Sequence, residues 1–170
     1  MKISILFVSL LSLVTLFVGC VHCPSRDQAR CQIEQLIERQ KIQDTVNKLF
    51  IGTDNKDWLA VRGLFADKVN FDMSSLSGAA PALLSPVEIT DMWEKGLRPV
   101  EQVHHQSGNF LVTINDNKAE VFCYGTATHY KNPQFKGRVT RFVGSYNIHL
   151  IKSSGGWTID SLRFNKKYVE

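Results

Sequence analysis

No Gly-rich loop that could cradle a phosphate occurs in this chain, and no second Cys-x-x-Cys completes the half-site at Cys20–Cys23. Nucleotide-phosphate chemistry and a structural zinc knot therefore have no local support. A basic stripe with interleaved aromatics is also missing. The formal net charge is +4, from 20 Lys+Arg against 16 Asp+Glu, and the excess is scattered. Its densest point, Arg163, Lys166 and Lys167, reads as a solvated tail, so no nucleic acid is expected as a partner. Ser145 has no nucleophile-elbow context, which leaves Ser-His-Asp catalysis unsupported. Nothing in the composition marks disorder or a repeat array. At 44% hydrophobic, the 170 residues suffice for one domain with one real core.

Beyond these gaps, the clearest local signal is the N-terminus. Lys2 precedes Ile3–Val18, a stretch without charge that is shorter than the ~20 residues a spanning helix needs. It suits the apolar core of a signal peptide. Leu16-Phe17-Val18-Gly19-Cys20 resembles the lipobox of bacterial lipoproteins, with Phe17 where Leu is usual. That resemblance implies lipidation at Cys20 and an exported protein anchored at a cell-envelope membrane. A plain cleaved signal would instead leave it periplasmic or secreted. Residues 1–20 are read as this leader and 21–31, polar and containing Pro24, as a linker. Export permits disulfides, and Cys23 and Cys31 could close a small loop. Cys123 lies within an apolar strand and reads as a buried small residue.

Residues 32–170 read as one domain. Ile33, Leu36, Ile37, Ile42, Val46, Leu49 and Phe50 recur at helical spacing, which predicts a helix over 32–51 that ends before Gly52-Thr53-Asp54-Asn55. A second short helix starts near Lys56 and turns Trp58, Leu59, Val61, Leu64 and Phe65 inward. Val69–Met73 alternates as a strand, and 74–85 reads as a flexible loop at a cavity mouth. Ser85-Pro86-Val87-Glu88 carries the signature of a helix start. Strands follow at about 101–114, 118–131, 138–152 and 156–165, joined by Asn115-Asp116-Asn117, by the break at Asn132-Pro133, and by Ser153-Ser154-Gly155-Gly156. Helices first and a meander later give an α+β architecture, with three N-terminal helices packed on an antiparallel sheet.

The order of these elements is similar to the nuclear transport factor 2-like superfamily, whose sheet curves into a cone around a pocket. Thr53–Trp58 with Leu64–Ala66, Val103–Asn109, Tyr124–Tyr130 and Gly156–Ile159 resemble its SnoaL-like and scytalone dehydratase-like members over about residues 35–165. The resemblance maps a catalytic Asp onto Asp54 and two catalytic His onto His105 and His129. It implies proton removal next to a carbonyl and loss of water, with no metal and no organic cofactor. The convex sheet face of this superfamily is often paired, so a homodimer is an expected partner. Two departures stand out: Thr53 and Met73 occupy positions where those dehydratases carry Tyr.

The residues support proton transfer on their own chemistry. Histidine titrates nearest neutral pH, and a carboxylate on one of its nitrogens fixes its tautomer and raises its basicity. The turn at 115–117 lies nearly midway between His105 and His129, so antiparallel pairing brings their strands side by side. Asp54 could equally be a turn or capping residue for the following helix. His104 and His105 alternate in face, and strict parity groups His104 with Phe110, Val112 and Ile114. A bulge at Gly108 would reset that phase in favour of His105. His104 stays as the substitute, and Asn109 and Tyr124 join it as candidate ligand-binding residues. Tyr124, Phe142 and Tyr146 fit either a pocket wall or the core, with core the safer assignment; Trp58, Trp93 and Trp157 read as core. His149 and His22 receive no role. An Asp-His-His set could bind a metal in principle, but no local spacing supports one. Two functions stay open: a cofactor-independent lyase or isomerase of the dehydratase type acting on a small carbonyl-bearing or cyclic compound, and a non-catalytic envelope protein that binds a small apolar ligand or serves as a scaffold.

Overall fold

The structure, a computed structural model, describes residues 25–131 and 138–170. The leader with Cys20, and also His22 and Cys23, lie outside the described residues. Ten elements follow in order: α1 (Arg26–Asp54), α2 (Trp58–Arg62), β1 (Phe65–Asp72), α3 (Ser74–Ser77), β2 (Ala82–Leu84), α4 (Pro86–Leu97), β3 (Gln102–Asn115), β4 (Lys118–Tyr130), β5 (Val139–Ser153) and β6 (Gly156–Val169). They form one six-stranded sheet in the order β2-β1-β6-β5-β4-β3. The α+β class and the curved, unclosed sheet under N-terminal helices are as expected. The sheet is not wholly antiparallel: β1 runs parallel to β6, as in Phe71 opposite Leu162. Those two residues are 91 positions apart in sequence (162 − 71), so local pattern carried no sign of the pairing.

α1 begins at Arg26, inside the stretch read as linker. Ser25 accepts the Gln28 N–H and Gln28 Oε1 accepts the Ser25 N–H, a reciprocal cap that starts the helix before its apolar stripe does. Ile33, Leu36 and Ile37 stay exposed, and burial begins at Ile42, Val46, Leu49 and Phe50, where the helix reaches the sheet. Burying each such side chain contributes about 1.5–3 kcal/mol. Cys31 is an exposed thiol on this helix. Of the second helix only Val61 is buried, and Leu59 faces solvent. The 74–85 stretch is not one loop. Asp72 Oδ1 accepts the Ser74 N–H and hydroxyl to start α3, and Ala82–Leu84 adds an edge strand to β1. Among the described residues there are thus four helical segments where three were expected.

α4 starts as predicted: Ser85 caps it, Pro86 takes the first position, and Glu88 closes the capping box. Arg62 ties α2 to α4 through Thr90 Oγ1 and Asp91, each at 2.7 Å. The core lies between the sheet and α1, with Ile148, Leu150, Ile159 and Leu162 fully buried beneath Ile42 and Val46. Trp157 belongs to it, Trp93 packs against it, and Trp58 packs on the smaller cluster of Leu97, Val100 and Val103. Cys123 is buried there too, and burial pushes its thiol up to about 12. Among the described residues no helix is long and apolar enough to cross a membrane.

Candidate active site

The end of α1 and the middle of β3 meet over the sheet. Asp54 is the last residue of α1, and its carboxylate turns away from the following turn. The N-cap of α2 is Asp57, which accepts the Ala60 N–H. Asp54 is therefore free of capping duty. Its Oδ1 lies 2.6 Å from His105 Nδ1, and its two oxygens accept the His105 backbone N–H at 3.0 and 2.9 Å. Held at both ends, the imidazole has one orientation. A carboxylate at Nδ1 takes the N–H there and leaves the lone pair on Nε2. Phe50 stacks on the ring at 5.3 Å with an 18° tilt, closing its other face.

The inward turn of His105 comes from a bulge. Gly108 pairs with Tyr124 but Leu111 pairs with Phe122, so β3 carries one extra residue between them. Asn109 absorbs it at φ 57, a left-handed conformation that Asn tolerates better than most residues. On one side of the bulge Val103 and His105 face inward; on the other, Phe110, Val112 and Ile114 pack against the core. Unbroken parity would have put His104 inward instead. The His104 side chain is 75% exposed against 12% for His105, and its Nδ1 approaches Asp54 only to 3.9 Å. Asn109 is exposed and spends its conformation on the bulge. Tyr124 alternates with the buried Cys123 and Gly125 and so faces outward, with Phe122 on its edge and Lys167 Nζ 4.3 Å above its ring. None of His104, Asn109 and Tyr124 lines the pocket; Asp54, His105 and His129 are brought together.

That pocket is a cavity of about 440 Å3. Its walls are mostly apolar, among them Leu49, Phe50, Met92, Trp93, Leu97, Val100, Phe142 and Phe164, with Thr53, His105, His129, Lys131 and Thr140 as polar points. Val103 sits opposite His129 in the register, which places His129 diagonal to His105 on the same inward face of the β3–β4 pair. Its ring packs on Phe142 at 4.9 Å. Burial, and then the nearby His105 and Lys131, lower His129 to about 4 against a weaker opposing pull from Asp54. At neutral pH His129 is thus an uncharged imidazole. One histidine is braced by a carboxylate, and the other is kept neutral by burial. Among the described residues no group of three His, Cys, Asp or Glu converges as a metal-ligand set.

Two lining residues were read from the sequence as core: Phe50 from its place on the helical stripe, and Tyr146 as the safer of two assignments. The pairing of Gly125 with Gly144 across β4 and β5, which makes room for Tyr146, requires the register to be known.

With this geometry described, comparison with known proteins is informative. The SnoaL-like domain profile matches residues 34–163. No curated protein matches. Among solved structures, the Kfla4162 protein of Kribbella flavida superposes with a TM-score of 0.77 at 19% identity, covering 80% of this chain and 95% of that one. A candidate scytalone dehydratase of Novosphingobium aromaticivorans DSM 12444 gives 0.70 at 15%, over 80% and 88%. The hexachlorocyclohexane dehydrochlorinase LinA-type3 of Novosphingobium barchaimii LL02 gives 0.70 at 13%, over 82% and 92%. At these identities the likeness is one of fold.

Proposed function

The chain belongs to the SnoaL-like domain family, and from that premise we propose that its pocket carries out cofactor-independent proton transfer on a small cyclic or carbonyl-bearing compound. The observation that carries the reading is the Asp54 carboxylate 2.6 Å from His105 Nδ1 at the wall of an apolar cavity. His105 Nε2 takes a proton from the carbon beside the carbonyl, and the C–H electron pair moves into an enolate. Asp54 stabilises the imidazolium that results. The enolate then either regains the proton at another carbon, an isomerisation, or expels a leaving group one carbon away. If that group is hydroxide, it takes the proton held by His105 and departs as water, and the site returns to its starting state. His129, neutral, orients the departing oxygen by a hydrogen bond. Solved proteins of the same fold that are named for dehydration and dehydrochlorination favour elimination.

Exchange of substrate C–H for deuterium in D2O, followed by NMR across a panel of small cyclic ketones, tests this without knowledge of the substrate. The wild type should exchange at least one ketone, and Asp54→Asn should slow that exchange by about 10²–10⁴-fold. Absence of wild-type exchange across the panel would favour the second reading, a non-catalytic binder of small apolar ligands. The apolar lining and the Thr53 and Met73 positions support that alternative.

The leader reading remains part of the proposal. Lipidation at Cys20 would tether the domain to an envelope membrane through the chain that precedes α1. Labelling with radioactive palmitate in a bacterial host should mark the wild type and spare Cys20→Ala.

A further inference from the structure

One inward phenol lies in the same cavity. Gly125 of β4 and Gly144 of β5 sit opposite each other in the register and leave a bare patch of sheet. Neither position has room for a side chain. A methyl at Gly125 would overlap the Tyr146 ring, and one at Gly144 would overlap the Asn165 carbonyl and the Phe164 ring. Tyr146, which starts two residues deeper along β5, lies down over Gly125 toward the row that holds His105 and Ala127. Its ring is clamped from both sides, 4.9 Å from Phe50 and 4.9 Å from Phe164. Phe50 is also the residue stacked on His105, so one ring spaces the phenol and the base.

Tyr146 is 6% exposed, and what is exposed faces the cavity. Every buried side-chain polar atom among the described residues has a partner, yet no described residue takes up the Tyr146 hydroxyl. The hydroxyl is therefore not sealed in the core; it opens into the pocket. A buried phenol is costly unless a hydrogen-bond partner completes it, and with none among the described residues a ligand or water in the cavity can do so.

We propose that the Tyr146 hydroxyl is the hydrogen-bond donor that receives a ligand's oxygen in this cavity, and that the pocket therefore selects ring compounds carrying one carbonyl or enolate-like oxygen. The inference rests on the proton-transfer reading of the same site. Burial raises the phenol above its ordinary range, so it is protonated and donates throughout the physiological range. A fixed donor gains strength as charge develops on the oxygen, so it favours the enolate over the ketone. The apolar walls supply affinity for the ring; Tyr146, clamped between Phe50 and Phe164, supplies a fixed donor that sets which way the ring lies.

The test compares two probes of one shape, 1-tetralone and tetralin, binding to the full chain purified in detergent and measured by calorimetry. Wild type should prefer the ketone by about tenfold, roughly the worth of one buried hydrogen bond. Tyr146→Phe should erase that preference while leaving the tetralin affinity within about twofold. The tetralone carbonyl stretch provides the second measurement: it should shift to lower frequency on binding to wild type and return in Tyr146→Phe. Equal binding of both probes by wild type, binding of neither, or a preference and shift that survive in Tyr146→Phe would each overturn the proposal. Asp54→Asn separates it from the catalytic reading, because that variant should keep the ketone preference while losing exchange. A wild type that shows the preference but never exchanges deuterium would sink the catalytic reading and leave the oxygen subsite standing.

Discussion

The sheet carries a histidine–carboxylate pair on each of its faces. On the helix-covered face Asp54 holds His105 Nδ1 at 2.6 Å; on the other, Asp160 is bonded to His149 Nδ1, with Glu120 Oε1 4.0 Å from Nε2. The two pairs are chemically alike and differ in what surrounds them. His149 alternates with the buried Ile148 and Leu150, so it points away from the core, and it does not line the cavity that holds His105. Asp160 reaches it because β6 has its own bulge, the register slipping between His149 and Leu150. His105 instead lies under Phe50 at the wall of an apolar cavity with a second, neutral histidine on the same face. The same histidine–carboxylate unit thus occurs in two settings, and the apolar cavity beside His105 is what distinguishes them.

This contrast is most sharply broken by a pair of substitutions. Asp54→Asn should reduce deuterium exchange by about 10²–10⁴-fold, whereas Asp160→Asn should leave it within twofold. Equal losses in both would mean that the variants act through stability and that the cavity confers nothing.

Next in size are the glycines under the pocket rings. Gly144→Ala should destabilise by about 1–3 kcal/mol, because the added methyl meets backbone at Asn165 as well as the Phe164 ring. Gly155→Ala, whose nearest neighbour is Ser153 Oγ at 3.8 Å, should change stability by no more than about 0.5 kcal/mol. Urea denaturation of both variants checks this difference, and a Gly144→Ala as stable as wild type would show that the rings are not held against the sheet.

A third test uses pH. His129 is neutral in the folded protein down to about 4, while an unfolded histidine takes up its proton near 6.5. Between those values the unfolded state binds more protons, so stability rises with pH and is lost as pH falls from 6.5 to 4. Replacing His129 with Asn should flatten thermal stability across that window, and His149→Asn should not. Glu38, held at about 2 chiefly by Lys152, works in a lower window. Its stabilisation is present above 4.5 and disappears as pH falls toward 2. A melting profile that is level from 6.5 to 4.5 in wild type would contradict the burial of His129.

The smallest expected effect lies far from both faces. Arg30 and Glu34 form an exposed pair one turn apart on α1, and Arg30→Ala should cost no more than about 0.5 kcal/mol.

Much of the scaffold was legible because it follows local rules. The capping box at Ser85, the four long strands and the turns at 115–117 and 153–156 depend on residues within a few positions of one another, and they appear where the pattern puts them; the break at Asn132-Pro133 lies outside the described residues. The α1 start was missed because its cap, Ser25 with Gln28, precedes the apolar stripe used to find the helix. Ile33, Leu36 and Ile37 belong to the apolar stripe of the predicted helix, yet all three are exposed. The candidate site divides in the same way. Asp54, His105 and His129 were named from residue chemistry and family likeness, and the structure sets the Asp54 carboxylate on His105 and both histidines on the cavity wall. His104, Asn109 and Tyr124 were set outside the pocket by one inserted residue and by strand parity, and Tyr146 was assigned to core rather than pocket wall because the two look alike in a strand pattern.

By itself the sequence determined the α+β class, the order of the elements, and the presence of one acid and two histidines as titratable candidates. These are properties of residue type and near-neighbour spacing. Only the tertiary structure decided which histidine the carboxylate holds, which one burial keeps neutral, and which phenol opens into the cavity. Those outcomes depend on a bulge, a register that sets Gly125 against Gly144, and the packing of Phe50 between two rings. Each joins residues distant along the chain, and the free energy of such contacts appears only once the sheet has closed over them.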